Sequence, residues 1–138
     1  MTKTPIKYPR SRERLIVAEA AIRFGRVFNS ELFGGYPATQ ADATWVLRAV
    51  VIGHMRGRAM TTRRIARYIG MPRTTVLRRL QLLLRLGYVR REGRAYCVSE
   101  RYLRTPPKAL NEAIKIILET AEALRVEQRK ESRMDQNT

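Results

Sequence analysis

Ten side chains between residues 63 and 94 share one chemistry. Arg63, Arg64, Arg73, Thr74, Thr75, Arg78, Arg79, Arg90, Arg91 and Arg94 are all hydrogen-bond donors built to meet oxygen-rich partners. A guanidinium is a planar fork that pairs bidentately with a phosphate or with the O6/N7 edge of guanine. A threonine hydroxyl bonds a base or a phosphate, and its methyl can touch that of thymine. Catalysis has no comparable set. The chain holds one histidine, His54, and one cysteine, Cys97. It has no glycine-rich phosphate loop, no metal-spaced Cys/His cluster and no nucleophile that a lone histidine could activate, so no enzyme, metal or cofactor is expected. His54 reads as a helix C-terminal residue in favourable contact with the helix dipole.

The charge sits where those residues sit. The 138 residues carry a net charge of +16. Residues 1–55 hold 8 Lys/Arg against 4 Asp/Glu, residues 56–104 hold 14 against 2, and residues 105–138 hold 6 against 6. All 14 central bases are arginine. A GC-rich genome would favour arginine codons throughout, yet the last third is charge-balanced and uses lysine freely. So localised a field suits a phosphate backbone.

The elements that must position these residues can be read from the same stretch. Thr61 caps a helix with Ile65 and Ala66 inside, and Gly70 ends it. Pro72 opens a second helix with Val76, Leu80, Leu83, Leu84 and Leu77 on its inner face, and Gly87 ends that. Tyr88-Val89, a turn at Glu92-Gly93 and Tyr96/Val98 make a hairpin, with Cys97 pointing outward. Two helices, a turn and a hairpin make a winged helix-turn-helix, whose second helix enters the major groove. Arg73, Thr74, Thr75 and Arg78 then face base edges. Arg63 and Arg64 stand where the preceding helix crosses the backbone, and Arg79 is either a backbone contact or solvated. Arg90, Arg91 and Arg94 ride the wing, placed for the neighbouring minor groove or its phosphates.

The rest of the chain presents this module. Residues 1–10 read as a flexible basic arm. Residues 11–37 form a helix over about 11–29, with one wide apolar stripe (Leu15, Ala18, Ile22 and Ile16, Ala20, Phe24, Val27), and an apolar loop from Leu32 to Pro37. The winged domain spans 38–104 and starts with a helix capped by Thr39 and apolar all round, hence buried. Residues 105–131 form a C-terminal helix in which Leu110, Ile114, Ile117, Ala121 and Leu124 repeat as a heptad seam. Packing on its own domain would account for the seam, but a small module has little surface to cover so long a face, which favours dimerisation. Residues 132–138 read as a disordered tail. The fold class is thus mainly α with a small β-hairpin wing, flanked by N- and C-terminal dimerisation helices.

The run IARYIGMPRTTVLRRLQLLLRLGYVRREGRAYCVSERYL resembles the DNA-binding module of IclR-type transcriptional regulators. The likeness lies in Gly-apolar-Pro-Arg-Thr-Thr-Val, the Arg-x-Leu spacing, Leu-Gly-Tyr-Val and a short wing ending Tyr-x-Val. It covers about 40 of the 138 residues. The layout of helix, winged module and terminal helix is similar to MarR-like regulators, in which the outer helices make a dimer. Together these resemblances imply a transcription factor.

The expected function is sequence-specific binding of double-stranded DNA by a homodimer. A non-transcriptional nucleic-acid binder (a replication initiator, an architectural protein or an RNA-binding winged helix) fits the charge equally well. A protein-interaction scaffold would not need the arginine load. A small-molecule effector is left open, should the outer helices and the 32–37 loop enclose a pocket. One cysteine, no signal-peptide core and no membrane-length apolar run lead to a cytoplasmic expectation, nucleoid-associated in a bacterium, with no membrane partner.

Overall fold

The computed structural model describes residues 8–33 and 41–137. The order is α1 (Ser11–Phe33), α2 (Asp42–Met55), β1 (Met60–Thr61), α3 (Thr62–Ile69), α4 (Arg73–Leu86), β2 (Val89–Glu92), β3 (Ala95–Val98), α5 (Glu100–Arg104) and α6 (Lys108–Gln136). These fall into two compact units, Leu32–Pro106 and the pair Met1–Glu31 with Pro107–Thr138. The mainly helical winged helix-turn-helix expected from the sequence is what forms.

The Leu32–Pro106 unit is built on α2. Its Val46, Leu47 and Val50 lose all solvent contact in one cluster with Ile65 of α3, Val76, Leu80 and Leu83 of α4, and Val89, Tyr96 and Val98 of the hairpin. Apolar spacing of three and four residues supplies these faces, and burying each large side chain contributes about 1.5–3 kcal/mol. α2 is not buried all round, however, because Trp45 is 62% exposed. Leu77 also departs from its expected inner position and lies 41% exposed, one residue past the buried stripe of α4. The Thr39 cap lies outside the described residues. α2 begins at Asp42 instead, after Ala41, whose carbonyl accepts the Thr44 hydroxyl at 2.6 Å.

The helix-turn-helix follows its punctuation. Thr61 Oγ1 accepts the Arg64 N–H at 3.3 Å, and Gly70 closes α3 at φ 70°. Pro72 is the residue before α4, where its missing N–H costs nothing.

The wing is a sheet of three strands in the order β1–β3–β2, all antiparallel. The two-residue β1 is too short to show alternation in sequence. Its pairing makes β3 the central strand. The outward, exposed placement of Cys97 is corrected: Tyr96, Cys97 and Val98 are all buried, with Arg90 opposite Cys97 on β2. The turn is Gly93-Arg94, one residue later than expected, since Glu92 pairs with Ala95. Gly93 holds φ 63° at the first turn position, as a II′ turn requires. His54 does more than meet a helix dipole. Its Nδ1 accepts the Val98 N–H at 3.0 Å and ties the end of α2 to β3. After the sheet, Ser99 caps the short α5 by accepting the Tyr102 N–H at 3.0 Å.

The other unit pairs α1 with α6. Ion pairs Arg12–Glu127 at 3.7 Å and Arg23–Glu119 at 2.9 Å fix the two helices antiparallel. The wide stripe expected on α1 is narrower: Ile16, Ala20, Phe24 and Val27 are wholly or partly buried, while Leu15, Ala18 and Ile22 are exposed. The helix continues to Phe33, past the expected end near residue 29 and through the first two residues of the expected loop; the rest of that loop, residues 34–37, lies outside the description. Residues 1–7 of the expected arm also lie outside it. Its last residues are ordered as a cap: Tyr8 N–H donates to Ser11 Oγ at 3.0 Å, and Arg10 makes two 3.0 Å bonds to Glu13. That guanidinium holds the Glu13 carboxyl below its ordinary range.

The inner stripe of α6 is Ala109, Ala113, Ile116, Thr120 and Ala123. The expected seam lies one residue further on, with Leu110, Ile114 and Ile117 exposed and Ala121 and Leu124 half-buried. Antiparallel neighbours reverse both direction and facing, so the residue after a buried position points to the same side on either helix. Val17 and Ala21 of α1 therefore share one face with Leu110, Ile114, Ile117 and Ala121 of α6. The expected disordered tail is corrected too. α6 runs to Gln136, carried by good helix formers and by the Lys130–Glu127 pair at 3.5 Å.

Candidate nucleic-acid interface

On α4 the buried positions Val76, Leu80 and Leu83 leave an opposite face of Thr74, Arg78, Gln81 and Arg85, spaced four, three and four residues apart and all exposed. Arg73 is exposed in the first turn, and Thr75 is half-buried beside it. Of the expected base-facing set, Thr74 and Arg78 thus stand in line, with Arg73 and Thr75 flanking. Gln81 and Arg85 were missed in the sequence reading, although counting seven residues on from Thr74 and from Arg78 finds them. Gln presents the bidentate amide that suits adenine.

Arg79 leaves this set. Its Nε lies 2.6 Å from Asp42 Oδ1 at the start of α2, with both side chains mostly covered. It is a brace between helices rather than a backbone contact. Its position, one residue off the exposed stripe, turns it toward α2.

Arg63 and Arg64 are exposed in the first turn of α3, which holds no acid. Cations there oppose the helix dipole at a cost of a few tenths of a kcal/mol. The free N–H groups of that turn attract anions, so a bound phosphate would offset it. Arg67 and Tyr68 extend the exposed side of α3.

On the wing, Arg90, Arg91 and Arg94 are all exposed. Arg91 lies 5.7 Å above the ring of Tyr96, its cross-strand partner. Arg90 pairs with Glu92 at 3.1 Å, and the Cys97 thiol donates to the same carboxylate at 3.3 Å. Those two bonds, the thiol's first, hold Glu92 below the ordinary carboxylate range. A depressed carboxylate adds stability above its unfolded pKa and loses it as pH falls through the folded value, so the brace weakens only in acid. Burial, and then Glu92, push the Cys97 thiol up. Little thiolate forms at neutral pH. A thiol reagent at pH 7 should therefore modify Cys97 at least tenfold more slowly in the native protein than in urea; equal rates would show that the thiol is not sheltered.

Of the 14 central arginines only Arg79, Arg90 and Arg104 form ion pairs among the described residues. The others, including Arg63, Arg64, Arg73, Arg78 and Arg94, have no acidic partner among the described residues. Among the described residues no helix is long and apolar enough to cross a membrane, and no three His, Cys, Asp or Glu side chains gather as metal ligands.

Residues 54–93, from the last turn of α2 to the tip of the wing, match the family described as the IclR helix-turn-helix domain. Among curated proteins none matches the chain. The match and the sheet agree: this stretch is a winged helix-turn-helix of IclR type, a DNA-binding module of transcription regulators.

Proposed function

We propose that this chain is a homodimeric transcription regulator that reads duplex DNA sequence-specifically through α4. The observation that carries the reading is the straight stripe Thr74, Arg78, Gln81 and Arg85, opposite a fully buried face and flanked by unpaired arginines on α3 and the wing. Arg73, Thr74, Thr75, Arg78 and Gln81 contact base edges. Arg63, Arg64 and Arg85 meet phosphates along the groove, and Arg90, Arg91 and Arg94 hold the adjacent backbone or minor groove.

The homodimer is supported by the apolar face of α1 and α6. Leu110, Ile114 and Ile117 of α6 and Val17 of α1 are each about half exposed on one side of the helix pair. A monomer that leaves such a face in water gives up the burial that a second copy would supply. The two-fold axis of such a dimer presents two α4 helices to successive major grooves.

Titration of duplex binding with salt tests the DNA reading. With three to five phosphate contacts per protomer, log affinity should fall against log salt with a slope of about −5 to −9, at roughly −0.9 per contact. A slope near zero, or no duplex binding at low salt, would contradict it.

A further inference from the structure

Between the end of α2 and the start of α3 lies a hollow of about 330 Å³ lined by Gly53, Arg56, Arg58, Met60 and Arg64. Three of the five lining residues are arginine and none is acidic. Arg56, Arg58 and Arg64 are exposed, and among the described residues none of their guanidinium groups has an ion pair or a hydrogen bond.

The backbone beneath them is closely held. Gly57, at φ 71°, donates its N–H to the His54 carbonyl at 3.0 Å, and Arg58 donates to the Gly53 carbonyl at 2.8 Å. This pair of bonds is the Schellman closure of a helix end. It tolerates only glycine at position 53, where a Cβ would stand 2.8 Å from the Arg58 carbonyl oxygen. Arg56 and Arg58 thus leave the backbone on either side of a fixed turn. Arg64 comes from a first turn pinned by the Thr61 cap.

A helix dipole explains part of this cluster and fails on the rest. The C-terminus of α2 favours the cations at 56 and 58, whereas the N-terminus of α3 disfavours one at 64. Three like charges around one hollow also repel one another. An oxyanion reverses both penalties, and a guanidinium fork is the side chain best shaped to hold one.

We propose that this hollow is a phosphate site, occupied by a backbone phosphate of the DNA on which α4 docks. The inference rests on the DNA-binding reading above and extends the footprint beyond the recognition helix and wing. The helix before the recognition helix crosses the backbone in this class of module, which brings Arg64, and with it Arg56 and Arg58, to the strand. Backbone contacts set register and affinity and carry no base information.

The test is R56Q/R58Q, with R56K/R58K as the charge-preserving control, each checked for wild-type thermal unfolding. In R56Q/R58Q the salt slope should become shallower by about 2, roughly 0.9 for each of the two phosphates a dimer would lose. Affinity should fall about tenfold on the selected and the random duplex alike. R56K/R58K should stay within about threefold of wild type. Unchanged slope and affinity in R56Q/R58Q, while the wild type binds duplex, would overturn the phosphate site alone. A wild type that binds no duplex would instead overturn the reading beneath it. Titration with inorganic phosphate separates the sources: tight phosphate binding lost in R56Q/R58Q, with DNA binding intact, would assign the hollow to a soluble anion and refute the backbone contact.

Discussion

Ile117→Glu should leave a folded monomer that holds its DNA site about 100-fold or more weakly than the wild-type protein. Ile117 is 54% exposed, so glutamate is tolerated in the isolated chain. It stands mid-seam between Ile114 and Ala121, and in a dimer the new carboxylate would be buried against apolar side chains without a partner. Burying an uncompensated charge costs several kcal/mol, enough to dissociate a modest interface. The affinity loss follows from geometry. Two linked α4 helices make the second half-site an intramolecular event, and a monomer forfeits that gain. Light scattering behind size exclusion, with circular dichroism as the folding control, reads the outcome. A variant of wild-type mass and wild-type affinity would remove α6 from the interface.

Arg78→Ala should cost about 1–3 kcal/mol of binding to the preferred site and flatten the preference at one base pair. The position decides this. Arg78 is one turn beyond Thr74 on the exposed stripe, has no acidic partner among the described residues, and sits on a helix anchored by Val76 and Leu80. Loss of its guanidinium therefore leaves the fold intact and removes a bidentate contact. Arg73→Ala should behave likewise, whereas Arg90→Ala should weaken all sequences equally. Binding measured on a panel of single-base variants distinguishes them. Equal losses across the panel for Arg78→Ala would make Arg78 a backbone contact.

Much of the winged module was legible because its signals are local. Thr61, Gly70, Pro72 and Gly87 mark helix ends through their own backbone chemistry, and the structure uses all four as read. What escaped depends on partners outside the local pattern. Cys97 looked outward by alternation, but it is 5% exposed, with Arg90 opposite it on β2 and Glu92 accepting its thiol. Arg79 read as a backbone contact or a solvated side chain until Asp42, 37 residues earlier, claimed it. The α6 seam was found as a periodicity. Which of two adjacent stripes is covered is not in the period: the inner one mixes the small Ala109, Ala113 and Ala123 with the large Ile116, while Leu110, Ile114 and Ile117 stay out. Gln81 and Arg85 lay within reach of simple counting. Arg56 and Arg58 did not, since the turn that brings them beside Arg64 closes through backbone bonds.

Selection of bound duplexes from a random-sequence library tests the central claim, a two-fold dimer reading bases through α4, in one measurement. The expected result is an enriched pseudo-palindrome with half-sites one helical turn apart, about 10–10.5 base pairs, or a multiple of that. A library without enrichment, or one enriched in a single unpaired half-site, would contradict it.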